Sequence, residues 1–261
     1  MTRRAALIAL PLTVLASLTL AVAQTKGLPE TVIPAIDEAP TQAKSYDWMA
    51  RHNAVVTRVK QEHVDLLLIG DSITHMWGGV PEEQTIHGRG DYLWDKYFGS
   101  RNAVNLGFGW DRTQHVLWRF EHGELDGIKP KVAVVMIGTN NLQANTNEDI
   151  VTGIDTVVSQ IRHKLPKTKI LLLGIFPRDQ KPDSELRKRI IEINNHISVL
   201  KKERNISYLD LGPKFLEPDG TLSPEIMPDF LHPSPKGYAI WAKAMEPTLA
   251  KLFGDKARSE K

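Results

Sequence analysis

The amino-acid sequence predicts an α/β fold in which helices cover both faces of a parallel sheet. Two observations support this prediction. Short apolar segments alternate with longer amphipathic segments along the chain, and the short segments are apolar on both faces, as the strands of a covered parallel sheet are. Alternation of strand and helix also requires right-handed crossover connections, which build an α/β sandwich.

Five strands and five helices are predicted from these patterns. The strand candidates are four to six residues long and rich in branched side chains: Val64–Ile69, Ala103–Leu106, Val132–Ile137, Ile170–Gly174 and Ile206–Leu209. The helix candidates are Tyr46–His63, Thr113–His122, Asn147–Leu165, Ser184–Arg204 and Pro235–Leu252. Ligands of such sheets bind beyond the carboxyl ends of the strands, so we expect the functional site at that edge.

The first 23 residues predict a cleavable signal peptide. Arg3 and Arg4 precede an apolar run, Ala5–Ala23, which ends in the small-x-small pattern Ala-Val-Ala. The alternative is an uncleaved membrane anchor, because the run approaches transmembrane length. Pro11 and the Ala-x-Ala ending favour cleavage, which predicts a periplasmic or secreted protein with no membrane span left after signal removal.

The rest of the chain is predicted to form one domain at 64–254, with an N-terminal extension and leading helix at 24–63 and a charged tail at 255–261. Signal cleavage removes two arginines and no acid from 33 basic and 31 acidic residues, which leaves no formal net charge. A near-neutral chain with interspersed charges argues against nucleic-acid binding. The chain has no cysteine, so disulfides do not stabilise it and a lipid anchor on a signal-peptide cysteine is excluded.

Four polar blocks are predicted to meet at one edge of the sheet. They follow the first three strands or precede the last helix: Gly70–Ser72, Asn105–Thr113, Gly138–Asn141 and Asp229–Pro233. Among them are a hydroxyl, an imidazole, a carboxylate and an amide, which together are the groups that acyl transfer uses.

Ser72 is the candidate nucleophile. A serine nucleophile needs a base within hydrogen-bond reach, and the base needs a group that fixes its tautomer. Asp229 and His232 are three residues apart, so one turn could present both to Ser72. Alone, Ser72 would be interpreted as a helix N-cap; the other three blocks favour the nucleophile. Asp71 is expected to stabilise the turn rather than to act as a second catalytic acid.

The blocks resemble, in order and spacing, the SGNH (GDSL) hydrolase family: GDSIT, NLGFGWDRT, GTNN and DFLHP. The stretch WDRTQHVLWRFEHGELDGIKPKVAVVMIGTNN is especially similar to the platelet-activating-factor acetylhydrolase-like esterase branch. The resemblance implies a flavodoxin-like three-layer α/β/α sandwich with a parallel five-stranded sheet, and no metal or other cofactor. It also implies that Ser72 is the nucleophile, His232 the base and Asp229 its partner. Similar acetylhydrolases can form a homodimer, but no sequence feature identifies an interface.

The oxyanion hole is predicted to consist of the Ser72 backbone N–H, the Trp110 backbone N–H and the Asn140 side-chain amide. Relatives in this branch usually have glycine at the position of Trp110. If that glycine has a positive φ, tryptophan would be strained there. In that case Gly109 or Gly107 would supply the backbone donor through a shifted loop.

Three further residues are candidates for the substrate pocket. Trp110 would narrow the acyl site or stack on a sugar ring. Arg112 would either stabilise its loop or contact a carboxylate or phosphate of the substrate. His75 would line the pocket or lie on the surface, because it is too close to Ser72 in sequence to act as its base.

The function predicted from these residues is a carboxylic ester hydrolase that removes short acyl groups, acetyl first, from a small-molecule or glycan ester. A lysophospholipase, a lipase or a thioesterase of the same family is the alternative. A different class is also compatible with the sequence, namely an inactive carbohydrate-binding relative in which Trp110 is the stacking platform.

Overall fold

A five-stranded parallel sheet of strand order β2-β1-β3-β4-β5 forms the centre of the protein. The computed structural model describes residues 27–37, 46–84, 89–203 and 205–258, so the predicted signal peptide lies outside the described residues. The strands are β1 Leu66–Gly70, β2 Ala103–Gly107, β3 Val132–Met136, β4 Lys169–Leu173 and β5 Ile206–Leu209. All five predicted strands are present, with bounds that differ from the prediction by no more than two residues.

Seven helices surround the sheet in the described part of the chain. They are α1 Trp48–Gln61, α2 Ser72–His75, α3 Asp91–Tyr97, α4 Thr113–Glu121, α5 Asn147–Lys164, α6 Glu185–Ile197 and α7 Pro235–Phe253. Helix α6 is shorter than predicted, because a 3-10 turn, Ser198–Lys202, replaces its last part. Helices α2 and α3, which both lie between β1 and β2, were not among the predicted elements.

The helices form two layers, one on each face of the sheet. Along β1, Leu67 and Ile69 enter one hydrophobic core together with α1, α4, α5 and α6. The alternate residues Leu66 and Leu68 enter a second core with α3 and α7. Since successive strand residues point to opposite faces, a strand covered on both sides must be apolar throughout. The predicted three-layer α/β/α sandwich is therefore confirmed.

Both terminal segments contact the domain. A 3-10 turn, Glu30–Val32, lies against α4 and α5, where Thr31 Oγ1 donates to the Asp149 carbonyl (2.7 Å) and Thr113 Oγ1 donates to the Thr31 carbonyl (2.8 Å). In the predicted charged tail, Asp255 pairs with the buried Arg101 at 2.9 Å. No helix among the described residues is long and apolar enough to cross a membrane.

Candidate active site

Three side chains form a continuous hydrogen-bonded series at the carboxyl edge of the sheet. Ser72 Oγ lies 2.9 Å from His232 Nε2, and His232 Nδ1 lies 2.7 Å from Asp229 Oδ2. Because the carboxylate accepts at Nδ1, that nitrogen carries the proton and Nε2 is left to accept the Ser72 hydroxyl. A hydroxyl, an imidazole and a carboxylate in this order can generate an alkoxide-like nucleophile and return its proton later.

The turn after β1 places Ser72 at the first position of α2. Gly70 is required there, because a Cβ would lie 2.2 Å from Thr74 Oγ1 and 2.4 Å from the Met136 carbonyl oxygen. Asp71 is the N-cap of α2 and accepts the Ile73 N–H at 2.9 Å. Burial raises the pKa of Asp71 to about 7, although the Ile73 N–H and the charge of Arg178 act in the opposite direction. Asp71 therefore stabilises the turn, as the sequence predicts.

Asp229 and His232 occupy one tight turn before α7. Asp229 Oδ1 accepts the backbone N–H groups of Leu231 (3.2 Å) and His232 (2.7 Å). Partial burial raises the pKa of Asp229, but the bonds from the His232 backbone and ring outweigh that effect, and the net shift is downwards. Asp229 thus stays ionised at neutral pH and fixes both the backbone and the ring of His232.

The loop from Gly107 to Asp111 passes beside this series, and almost every backbone group in it has a partner. The N–H groups of Gly107 and Gly109 donate to Asn105 Oδ1 (2.8 Å) and His75 Nδ1 (3.2 Å). Those of Phe108 and Asp111 donate to the carbonyl oxygens of residues 70 and 108. Among the described residues, no hydrogen bond engages the N–H of Trp110.

Trp110 has a φ of +71° and its side chain is 59% exposed. A positive φ is rare for a bulky residue, whereas glycine adopts it without strain. The side chain points away from the core and is available to a substrate.

Asn140 lies on the 3-10 turn Thr139–Gln143, and its amide donates one hydrogen to the Asp111 carbonyl (2.9 Å). A primary amide has a second hydrogen to donate.

Two of the pocket candidates have other contacts. Arg112 faces Glu30 on the N-terminal turn, with 3.7 Å between the charged groups, while its side chain stays partly exposed. His75 is fully buried, at 0% exposure, and its ring nitrogens contact the Gly109 N–H and the Gln84 carbonyl. The structure corrects the expectation that His75 lies on the surface, because it is buried and contacts the loop from the interior side; its role in the pocket wall stays a prediction.

A buried polar network, which the sequence patterns did not predict, lies beneath the loop. Arg119 pairs with Asp111 at 2.9 Å and with Glu124, and Glu124 also contacts His52 Nδ1 at 2.9 Å. Arg51 Nε donates to the Gly107 carbonyl at 2.8 Å. One feature of the sequence could have indicated this network. Arg51 is a charged residue at a position on the same buried face of α1 as Trp48 and Val55.

One group of side chains among the described residues has the spacing of metal ligands: Asp37, Asp111 and His115. Asp111 already accepts from the Trp48 indole and from Arg119, and His115 Nδ1 accepts the Arg112 N–H at 3.1 Å. The arginine cation on the same carboxylate makes this donor set a poor one for a metal ion.

Comparison with known proteins places the chain among acylhydrolases. The GDSL-like Lipase/Acylhydrolase family matches residues 68–240. The platelet-activating factor acetylhydrolase IB subunit alpha2 of Homo sapiens is 37% identical over 207 residues, which cover 79% of this chain and 85% of that protein. The human alpha1 subunit is 35% identical over 223 residues, covering 84% and 91%.

Solved structures show the same fold. A GDSL-like lipase from Bacteroides thetaiotaomicron superposes with a TM-score of 0.60 at 18% identity, covering 77% of this chain and 98% of the other. An acetylxylan esterase from Geobacillus stearothermophilus has a TM-score of 0.59 at 22% identity, covering 76% and 97%. At these identities the likeness concerns the fold.

Proposed function

Because the chain belongs to the GDSL-like lipase/acylhydrolase family and is a carboxylic ester hydrolase, we propose that it cleaves short acyl esters, acetyl first, through Ser72, His232 and Asp229. The observation that carries this proposal is the 2.9 Å contact between Ser72 Oγ and His232 Nε2, with Asp229 on the other ring nitrogen. The hydroxyl, base and orienting carboxylate are within the distances that nucleophilic catalysis requires.

The proposed reaction has two steps. Ser72 Oγ attacks the ester carbonyl while His232 Nε2 takes the hydroxyl proton, and the tetrahedral intermediate then expels the alcohol, which receives that proton. Water next attacks the acyl-enzyme, His232 again takes a proton, and the acid leaves as Ser72 regains its hydrogen. Asp229 stabilises the imidazolium in both steps and keeps its own charge.

The oxyanion donors in this proposal are the Ser72 N–H, the Trp110 N–H and the Asn140 amide. The contacts of the loop support Trp110 over the two glycines, because the N–H groups of Gly107 and Gly109 are engaged by Asn105 and His75. One such donor typically lowers the barrier by about 3 kcal/mol, since it is already oriented when the charge develops.

We propose an acetylated carbohydrate as the substrate class. The relatives named platelet-activating factor acetylhydrolase support acetyl as the acyl group. The 59% exposed Trp110 side chain, on the Gly107–Asp111 loop, supports a sugar, because indole faces stack on sugar rings. An export signal at residues 1–23 and a periplasmic or secreted location belong to the same proposal. So does a homodimer, which light scattering would test.

The first experiment is hydrolysis of p-nitrophenyl esters from acetate to octanoate by wild type, Ser72→Ala and Ser198→Ala. We expect Ser72→Ala to lower kcat by about 10⁴-fold or more. Ser198 is the matched control, because its hydroxyl donates only to the Asn195 carbonyl at the end of α6. A Ser72→Ala variant that stays active would refute the mechanism.

The acyl-length profile tests the substrate. Activity that peaks at acetate supports an acetyl esterase, whereas activity that rises towards octanoate would replace it with a lipase or lysophospholipase. If the protein were an inactive carbohydrate-binding relative, it would bind sugar but would not hydrolyse esters, and a fluorophosphonate would not label Ser72.

A further inference from the structure

The peptide unit between Gly109 and Trp110 is held by a side chain from the N-terminal extension. The Tyr46 hydroxyl donates to the Gly109 carbonyl at 2.9 Å. On the other side of the same glycine, the Gly109 N–H donates to His75 Nδ1 at 3.2 Å. The rings of Tyr46 and His75 meet edge to face, with centroids 4.8 Å apart. Tyr46 and His75 thus bind Gly109 as a pair.

The Gly109 carbonyl and the Trp110 N–H belong to one peptide unit. In a planar trans peptide these two groups point in opposite directions. A hydrogen bond that fixes the carbonyl therefore also fixes the direction of the N–H. We propose that Tyr46 is a positioning residue for ester hydrolysis. Its hydroxyl holds the Gly109–Trp110 peptide so that the Trp110 N–H faces the oxyanion. This inference rests on the proposed function, in which that N–H is a donor.

The loop needs such a restraint because of its own conformation. Trp110 has a φ of +71°, which is unfavourable for a residue with a side chain. Rotating the Gly109–Trp110 peptide would change ψ of Gly109 and φ of Trp110, and glycine tolerates that change. The rotation would relieve the strain but turn the N–H away from the direction that it has in the structure. It would also break the bond from Tyr46, which is why the observed orientation persists.

The protonation of the Tyr46 hydroxyl and of the His75 ring is consistent with this role. Tyr46 is 4% exposed, and burial, with a smaller contribution from Asp111, raises the pKa of its hydroxyl well above the usual range. The hydroxyl therefore keeps its proton and remains a donor at any pH at which the enzyme works. On His75, Nε2 faces the Gln84 carbonyl at 2.9 Å, so Nε2 carries the hydrogen and Nδ1 is the acceptor for Gly109.

A second contact from the same segment supports the assignment. The Trp48 indole N–H donates to Asp111 Oδ1 at 2.7 Å. Tyr46 and Trp48 therefore hold the loop on both sides of Trp110, and both lie before residue 68, where the family match begins. Tyr46 and Trp48 of the N-terminal extension thus position the loop that carries the proposed oxyanion donor.

The test is Tyr46→Phe, which removes one hydroxyl and keeps the ring. We expect kcat for p-nitrophenyl acetate, per serine titrated with a fluorophosphonate, to fall by about tenfold, which is less than the loss of a whole oxyanion donor. KM should change by less than about twofold, because the donor acts on the transition state. The matched control is Tyr92→Phe, which removes a hydroxyl that donates to the Pro235 carbonyl at 2.9 Å, away from the loop.

Three results would overturn the inference. The first is a Tyr46→Phe variant with wild-type kcat, and the second is a loss of kcat that Tyr92→Phe matches. The third is a loss of kcat that comes with a rise in KM and a lower midpoint of thermal unfolding, since a general loosening of the structure would then explain it. Ser72→Ala separates this from failure of the proposed function: if Ser72→Ala is inactive while Tyr46→Phe is unchanged, only the role of Tyr46 is refuted.

Discussion

Asp229 binds His232 twice: Oδ1 accepts its backbone N–H at 2.7 Å, and Oδ2 faces its ring Nδ1 at 2.7 Å. One carboxylate thereby fixes both the turn and the orientation of the imidazole. The three-residue spacing of the two positions makes this double contact compatible with a single turn, and the same imidazole reaches Ser72 with its other nitrogen.

Replacing Asp229 by asparagine should lower kcat by about 10⁴-fold. The amide can still accept the backbone N–H, but it cannot hold the imidazole with its proton on Nδ1 or stabilise the imidazolium. KM for p-nitrophenyl acetate should change little. Asp219→Asn is the control, because Asp219 also accepts a backbone N–H two residues on, at 2.9 Å, but in an exposed turn. Equal activity of the two variants would contradict the role of Asp229.

Trp110→Gly should keep hydrolysis of p-nitrophenyl acetate within about threefold of wild type, because a backbone N–H remains at that position. On an acetylated xylo-oligosaccharide, kcat/KM should fall by tenfold or more if the indole stacks on the sugar. Trp110→Ala is the partner variant: it loses the same side chain but keeps the positive φ, so urea unfolding should find it about 1 kcal/mol less stable than Trp110→Gly. Loss of acetate hydrolysis in a folded glycine variant would contradict a purely backbone role.

Asp71 should make stability depend on pH. Burial raises its folded-state pKa to about 7 from an ordinary value of 3.8, so the folded protein binds more protons than the unfolded chain between these values. Stability is therefore expected to fall as pH rises from about 4 to about 7. Asp71→Asn keeps an acceptor for the Ile73 N–H and removes the titration.

Urea unfolding of wild type and Asp71→Asn at several pH values measures this effect. Relative to wild type, the variant should gain up to about 4 kcal/mol between pH 4 and pH 8, which is the free energy that corresponds to this change in pKa. A difference in unfolding free energy that does not vary with pH would show that Asp71 does not titrate in this range.

The ion pair between Arg101 and Glu246 should be essential for stability. Both side chains are buried, and the guanidinium donates to the two carboxylate oxygens at 2.8 Å each. Glu246→Ala should lower the free energy of unfolding by about 3 kcal/mol, because it removes the buried one of the two carboxylates that pair with the buried Arg101 cation. Glu225→Ala removes an exposed glutamate that pairs with Lys236 and should have little effect. Similar urea midpoints for the two variants would contradict this expectation.

The sequence predicts the sheet well because a strand buried on both faces leaves a continuous apolar run. In β1 the run is visible without any partner strand, since every residue of Leu66–Gly70 is buried. Helix α3 has no such signal: it spans only Asp91–Tyr97, which is too short to establish a period. The predicted edges of helices are also less accurate, as the 3-10 ending of α6 illustrates.

Some residues of the candidate site could likewise be predicted from the sequence, and others could not. Ser72, Asp229 and His232 could be predicted as a candidate site, because ester hydrolysis by a serine would require a hydroxyl, an imidazole and a carboxylate next to strand ends and turns, and those requirements are local. The contacts of His75 could not be predicted, because the burial of a residue depends on which other parts of the chain pack over it. Nothing near His75 in sequence indicates that Tyr46 lies against its ring or that Gly109 donates to it.

By itself, then, the sequence determined the five strands, five of the seven described helices, the candidate reactive groups and the family, since each is encoded in short patterns of apolar and polar residues. Only the tertiary structure decided which backbone N–H of the Gly107–Asp111 loop has no partner among the described residues, and that Tyr46, 63 residues before Gly109, holds that loop. The physical reason is that hydrogen bonds between distant segments depend on distances and directions that exist only after the chain has folded.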